Sequence, residues 1–277
     1  MFESLANAGF QIAFESHAAA ILATDFAPAV AELEQALLAT SIPIEEIIAG
    51  GGGEAKGTQR LRRSLSRVGW SKTVFRVQRS IQVGESEDRL GAPEVRESQS
   101  HIIDHVRSFS SPGGVKRIAL EIEWNNKDPF FDRDLENFKR LHGDGAISLG
   151  IVVTRGTSLH TGLRGLVERY LKAHAVVGFD DLPSIGVLPT PRQRADIERA
   201  MGKRHEALDF ADAFARIFAN DKFSHATTHW GKLEDRLKRG VGNPCPLVLI
   251  GLPDSIVAFD GVVPEEEESG EAMRLLL

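Results

Sequence analysis

The apolar positions of the chain change period several times, and each change marks an element. Residues 15–40 carry Ala18, Ala19, Ala20, Ile21, Leu22, Val30, Leu33, Leu37 and Leu38 at spacings that predict one or two packed helices. Pro28 suits the first turn of the second. Ile44, Ile47 and Ile48 form a short apolar patch ahead of four consecutive glycines, Gly50 to Gly53. A helix starting near Gly57 and Thr58 follows, with Leu61, Leu65 and Val68 on its apolar stripe and Gly69 ending it. Over 73–83 the period drops to two, which predicts a strand. The polar stretch 84–99, with its Gly and Pro, reads as a surface loop. Strands at 101–107 and 116–124 flank the turn sequence Ser110-Ser111-Pro112-Gly113-Gly114. Leu135, Phe138 and Leu141 predict a helix over 132–142, capped by Asp132 or Asp134. The apolar, β-branched run 146–154 predicts a strand covered on both faces, set parallel to its predecessor by a right-handed crossover, and a helix at 159–175 comes next. The remainder, 176–277, reads as loop-rich, with helices at 205–219 and 227–239 and a strand at 246–252.

This alternation is that of an α/β protein. The 277 residues fit a single large domain, divided into a helical, basic part (1–100), a strand–helix–strand core (101–175) and the loop-rich part (176–277). Apolar residues make up 42% and charged residues 26%, enough to bury a sizeable core and too many charges for a membrane protein. No run of about 18 uncharged apolar residues occurs, so no membrane span is expected. The opening MFESLANAGF contains an acid and no basic region, unlike a secretory signal. With the lone Cys245, unable to form an internal disulfide, this points to a reduced, cytoplasmic setting.

Charge changes the picture further. The formal net charge is −6, yet from Ala55 to Gln78 the chain carries Lys56, Arg60, Arg62, Arg63, Arg67, Lys72 and Arg76 without one acid. Glu265, Glu266, Glu267 and Glu268 form an acidic run far away. Local clusters, not totals, decide where a polyanion docks, although a solvated helix face gives the same pattern.

The most informative residues are Asp104, Glu121 and Glu123. In 118–124, Ile118, Leu120, Ile122 and Trp124 share one face of the strand, and Ala119, Glu121 and Glu123 share the other. The two carboxylates stand about 7 Å apart along the strand, two residues at roughly 3.4 Å each. Asp104 lies on the preceding strand, where a hairpin can bring it beside Glu121. Acids gathered on one patch repel unless a cation sits among them, and a hard divalent ion such as Mg²⁺ is the usual solution. An amphipathic strand with its acids in water is the alternative.

An acid on one strand and acid-x-(Glu, Gln or Lys) on the next resembles the core of the PD-(D/E)xK nucleases. In detail, Ile103-Asp104-His105, Leu120-Glu121-Ile122-Glu123-Trp124, Phe130-Phe131-Asp132-Arg133-Asp134-Leu135 and Ile151-Val152-Val153-Thr154-Arg155 are similar to the BglII/BstYI family of type II restriction endonucleases. The resemblance extends upstream through Glu46 to Gly53 and Val68-Gly69-Trp70, and downstream to Thr227-Thr228-His229-Trp230. Glu123 stands where the commonest motif has lysine. The Asp-x16-Glu-x-Glu spacing is most similar to that of BamHI.

The resemblance implies a mixed β-sheet flanked by helices, and Mg²⁺-dependent hydrolysis of double-stranded DNA leaving 5′-phosphate ends. It implies Asp104, Glu121 and the Ile122 main-chain carbonyl as metal ligands, and Glu123 as general base or second-metal ligand. A palindromic site implies a homodimer, and a bacterial restriction enzyme implies a cognate DNA methyltransferase as a system partner. Lys56, Gln59, Arg60, Arg62 and Arg63 suit phosphates and purine edges. Lys127, Thr227, Thr228, His229 and Lys232 form a second candidate contact region, unless Thr227 or Thr228 caps a helix over a buried Trp230. Glu54 is a candidate further acid or an exposed helix-start glutamate. A structure- or damage-directed nuclease of the same fold and a non-catalytic DNA-binding module are the competing functions. Lys56-Gly57-Thr58 lacks the P-loop order, and His225-x3-His229 lacks the zincin glutamate.

Overall fold

A computed structural model describes residues 1–49, 54–97, 100–202 and 208–259. The glycine run, the acidic run and the start of the helix expected at 205–219 lie outside the described residues. Six strands form the central sheet: β1 (Gln11–Glu15), β2 (Ser71–Phe75), β3 (His101–Ser111), β4 (Gly114–Glu123), β5 (Leu149–Arg155) and β6 (Leu247–Leu252). Their spatial order is β1-β6-β5-β4-β3-β2. The inner pairs β4/β5 and β5/β6 are parallel, and the outer pairs are antiparallel. Every residue of β5 and β6 is buried, as apolar runs in a parallel centre require.

Helices cover both faces. They are α1 (Ala18–Asp25), α2 (Ala27–Leu38), α3 (Lys56–Arg67), α4 (Phe130–Gly143), α5 (Thr157–Ala173), α6 (Pro191–Met201), α7 (Phe210–Lys222) and α8 (Trp230–Lys238). Pro28 sits in the first turn of α2, and Gly69 follows α3 with φ of 92°, a conformation glycine adopts without strain. Ile118 and Leu120 of β4 and Ile151 and Val153 of β5 pack with α2, α3, α5 and α7 on one face. Ala119, Val152 and Leu249 pack with Phe131, Leu135 and Phe138 of α4 and Trp230 of α8 on the other. Gly150 of β5 is what lets α4 come so close, because a Cβ there would overlap the Phe138 ring.

Four expectations need correction. The strand at 73–83 is broken: β2 ends at Phe75, and Gln78–Ile81 pairs instead with Glu94–Glu97, inside the stretch read as a loop. Gln78–Ile81 is exposed throughout, so the alternation over 73–83 runs past the end of β2 without burying a face, and nothing in it marks the break. The part after 176 is richer in helix than expected, because it also contains α6. The start of α6 is signalled by Thr190-Pro191 and Gln193, which form a reciprocal capping box. Finally, neither Asp132 nor Asp134 caps α4, which starts earlier, after Pro129. Asp134 is buried instead.

One irregularity positions the site. Ser71 pairs with Val106 and Thr73 with Ile103, so a single residue of β2, Lys72, faces two of β3, Asp104 and His105. This is a β-bulge, a device that bends a strand and re-aims side chains. Its signature is that Ile103 and Val106, three apart, belong to the same inner layer.

Candidate active site

The site forms where β4 leaves the sheet. Because β4 alternates, Ala119, Glu121 and Glu123 turn toward α4, and Ile118, Leu120, Ile122 and Trp124 turn toward the other face, as the sequence pattern predicts. Glu121 and Glu123 are buried, at 5% and 2% exposure. Asp134, from the first turns of α4, is buried beside them and is the acid that sequence reasoning missed.

Asp134 opposes the ionisation of Glu121 and Glu123, and the hydrogen bond it shares with Glu123 raises Glu123 and lowers Asp134. Burial, then the charges of Asp134 and Asp104, push Glu121 up to about 9. Burial and Asp134 push Glu123 up to about 8, and burial also raises Asp134. Arg133 is the cation at hand: its Nε donates to Asp134 Oδ1 at 2.8 Å, and its Nη2 lies 3.6 Å from Glu123 Oε1. Asn126 Nδ2 donates to Glu123 Oε2 at 2.7 Å. Asp134 Oδ2 is left without a hydrogen-bond partner.

Asp104 joins this group through its backbone. Its N–H donates to Glu121 Oε1 at 3.4 Å. Its carboxylate is half-exposed and pairs with Lys72 Nζ at 3.4 Å, across the bulge. Asp104 and Glu121 are thus electrostatic neighbours, and Asp134 links Glu121 to Glu123, but the oxygens of Asp104, Glu121 and Glu123 are not all within 4.8 Å of one another.

Asp104 opens onto a cleft of about 960 Å³. Glu54, Lys56, Gln59 and Arg62 of the basic segment line one wall, and Ile122, Asn125 and Asn126 line the strand-end side. Lys72 of the basic run and His105, next to Asp104, also line it. Arg62 pairs with Glu54 at 3.1 Å, and both are solvent-accessible. Arg60 turns inward: its guanidinium binds both oxygens of Glu46 at 2.8 Å and holds α3 against the short helix Ile44–Ile48. Arg63 and Lys127 are exposed on the surface.

The second candidate region is mostly structural. Thr228 is fully buried and exchanges backbone and side-chain hydrogen bonds with Asn126. Thr227 Oγ1 accepts from Arg155 Nη2 at 2.7 Å. His229 occupies the N-cap of α8 without a side-chain cap bond, and Trp230 is buried behind it. Lys232 lies 3.5 Å from Asp128. The fully buried Arg155 organises the loop, since it also donates to the Trp124 and Thr228 carbonyls.

His160, His225 and His229 are, among the described residues, the metal-binding side chains whose ligand atoms all lie within 4.8 Å. Two features argue against a metal there. The His160 and His229 rings stack 3.9 Å apart and nearly parallel, so their lone pairs do not converge. Arg155 Nη1 lies 3.4 Å from His160 Nδ1 and already supplies a positive charge. For a hard divalent ion, the oxygen donors around Glu121 fit better: several carboxylates, one oxygen without a partner, and too little positive charge to keep them ionised.

No helix among the described residues is long and apolar enough to cross a membrane. No curated protein matches the chain. A family model, restriction endonuclease BglII/BglIII, matches residues 10–252, a span that contains the whole six-stranded sheet and every acid of the site. The mixed six-stranded sheet flanked by helices is a restriction-endonuclease-like core, and the chain belongs to the BglII/BglIII family of restriction endonucleases.

Proposed function

We propose that the chain is a type II restriction endonuclease, one nuclease domain that hydrolyses double-stranded DNA with Mg²⁺ and leaves 5′-phosphate and 3′-hydroxyl ends. What supports this reading is the hydrogen bond from the Asp104 N–H to Glu121 on the neighbouring strand, with Glu123 two residues on and Asp104 opening onto a cleft lined by Lys56, Arg62 and Lys72.

Asp104, Glu121 and the Ile122 carbonyl would hold the ion. Bound there, Mg²⁺ supplies Lewis acidity, lowering the pKa of water and offsetting charge on the scissile phosphate, an effect worth several kcal/mol. Glu123, raised to about 8 and steadied by Asn126, is suited to take the proton of the attacking water or to share a second ion. Lys56, Arg62, Arg63 and Lys127 would seat the phosphates, and Gln59 suits a purine edge. A homodimer would place one such site on each strand of a palindromic target. The activity goes with a bacterial cytoplasm and a DNA methyltransferase that protects the host's own sites. The buried Cys245, pushed up to about 12 by its burial, is no obstacle in a reducing setting.

Digestion of a defined plasmid with Mg²⁺, and with chelator as control, followed by sequencing of the ends, tests the reading. Discrete bands with 5′-phosphate ends are expected. Cutting only at junctions or flaps would mean a structure-directed nuclease. No Asp104-dependent Mg²⁺ binding by calorimetry would mean a non-catalytic binding module.

A further inference from the structure

Asn126 reaches back from the turn after β4 to Glu123, its Nδ2 donating to Oε2 at 2.7 Å. The asparagine is exposed. Holding it in the one rotamer that meets Glu123 costs conformational entropy, and that cost falls when the backbone beneath is fixed. Both polar groups of this backbone are engaged by one residue from far along the chain. The Asn126 N–H donates to Thr228 Oγ1 at 3.1 Å, and the Asn126 carbonyl accepts from the Thr228 N–H at 2.8 Å. Thr228 is fully buried, so it meets no DNA itself. Its own place is set from behind: Arg155 donates to its carbonyl and to Thr227 Oγ1, each at 2.7 Å, and to the Trp124 carbonyl at 2.8 Å. Lys127 pairs with Thr227, and the Asp128 N–H donates to the Ala226 carbonyl, so 124–128 and 226–228 are laced together. The Glu123 carbonyl is held as well, by the hydroxyl of the buried Thr154 at 2.8 Å.

With its main chain tied on every side, the end of β4 leaves Glu123 little freedom except in its side chain, and Asn126 removes that. We propose that Thr228 is a positioning residue for cleavage: by holding both backbone polar groups of Asn126 it keeps the Asn126 amide on Glu123, and the Glu123 carboxylate aimed at the attacking water. This rests on the nuclease reading above, and it extends the site to a residue that touches neither DNA nor the ion.

The test sets Thr228→Val, which keeps the shape and removes the hydroxyl, against Thr228→Ser, which keeps the hydroxyl. Asn126→Ala is made alone and combined with Thr228→Val. Two quantities are read on the same plasmid: single-turnover cleavage in Mg²⁺, and retention of the end-labelled plasmid on nitrocellulose with Ca²⁺ in its place. Thr228→Val is expected to cut at least about fivefold more slowly, the size of one neutral hydrogen bond, with retention unchanged. Thr228→Ser should recover most of the rate. Added to Asn126→Ala, Thr228→Val should slow cutting no further, because residues that act through one contact are not additive. A purely structural threonine would lower the melting temperature and leave the rate of the folded molecules alone, and that result overturns the proposal. So does slowing that adds in the double variant, or Asn126→Ala that cuts like wild type. If Thr228→Val does not fold, Thr228→Ala against Thr228→Ser gives the same comparison. The Asn126 side-chain amide, assigned as the proton pair that Asn126→Ala removes from the NMR spectrum, reads the contact without catalysis. It should exchange slowly with water in wild type and fast in Thr228→Val. Wild type that does not cut but shows this difference sinks the nuclease reading and leaves the hold of Thr228 on Glu123 standing. Equal exchange in the two proteins sinks the positioning role, whether or not wild type cuts.

Discussion

Single side chains at the site carry opposite electrostatic burdens. Asp104→Ala, Glu121→Ala and Glu123→Ala are each expected to abolish plasmid cleavage while leaving DNA retention measurable; near-normal cutting by any of them would remove that residue from the mechanism. Glu121 should also be a stability liability when no metal is present. Its folded value, about 9, lies above the ordinary 4.5, so its contribution to stability is complete below pH 4.5 and is lost as pH rises toward 9. Glu121→Gln should then raise the melting temperature of the metal-free protein at pH 8 by at least about 2 °C, a gain near 1 kcal/mol. Mg²⁺ should raise the melting temperature of wild type but not of the variant. The histidine pair has the reverse sign. Burial and the neighbouring charges hold His160 and His229 down at about 4, below the ordinary 6.5. Their contribution is present above pH 6.5 and lost as pH falls toward 4, and His160→Asn should flatten that acid limb in thermal melts.

Elements show why the chain is legible so far and no further. The β3–β4 hairpin and α4 can be read from sequence because Ile118, Leu120, Leu135 and Phe138 bury one face each and leave a period behind. The two faces of β4 follow from the same alternation. Gln78–Ile81 has no buried face, so the alternation read over 73–83 does not show where β2 ends or which segment the second part pairs with. Asp134 reads as a cap because a helix start and a buried acid look alike in sequence; only the position of Pro129 decides between them. The bulge is illegible, since one extra residue leaves no compositional trace. At this scale the tightest constraint is Gly150 against Phe138. Gly150→Ala must push α4 off β5, and overpacking of this kind costs about 1–3 kcal/mol by urea denaturation. A neutral result would mean that α4 moves freely.

Over the whole molecule, the cleft brings the cations Lys56, Arg62 and Lys72 to Asp104, while Glu121, Glu123 and Asp134 lie buried between β4 and α4. Binding and hydrolysis should therefore separate by mutation. Arg62→Ala or Lys56→Ala is expected to weaken DNA retention evenly across sequences and to lower the salt slope by about one for each phosphate that is no longer neutralised. An unchanged slope would place the phosphates elsewhere. Strands have only two sides, and the Asp104–His105 bulge switches between them partway along β3. A chain shortened by one residue there would keep its pairing and return β3 to plain alternation, with Ile103 and Val106 two apart and still facing inward, so what it would lose is the second residue opposite Lys72 and with it the aim of Asp104 into the cleft. Loss of a single codon at this point would thus spare the core and strike the site, since the extra residue matters for where it aims Asp104 and not for the packing behind it.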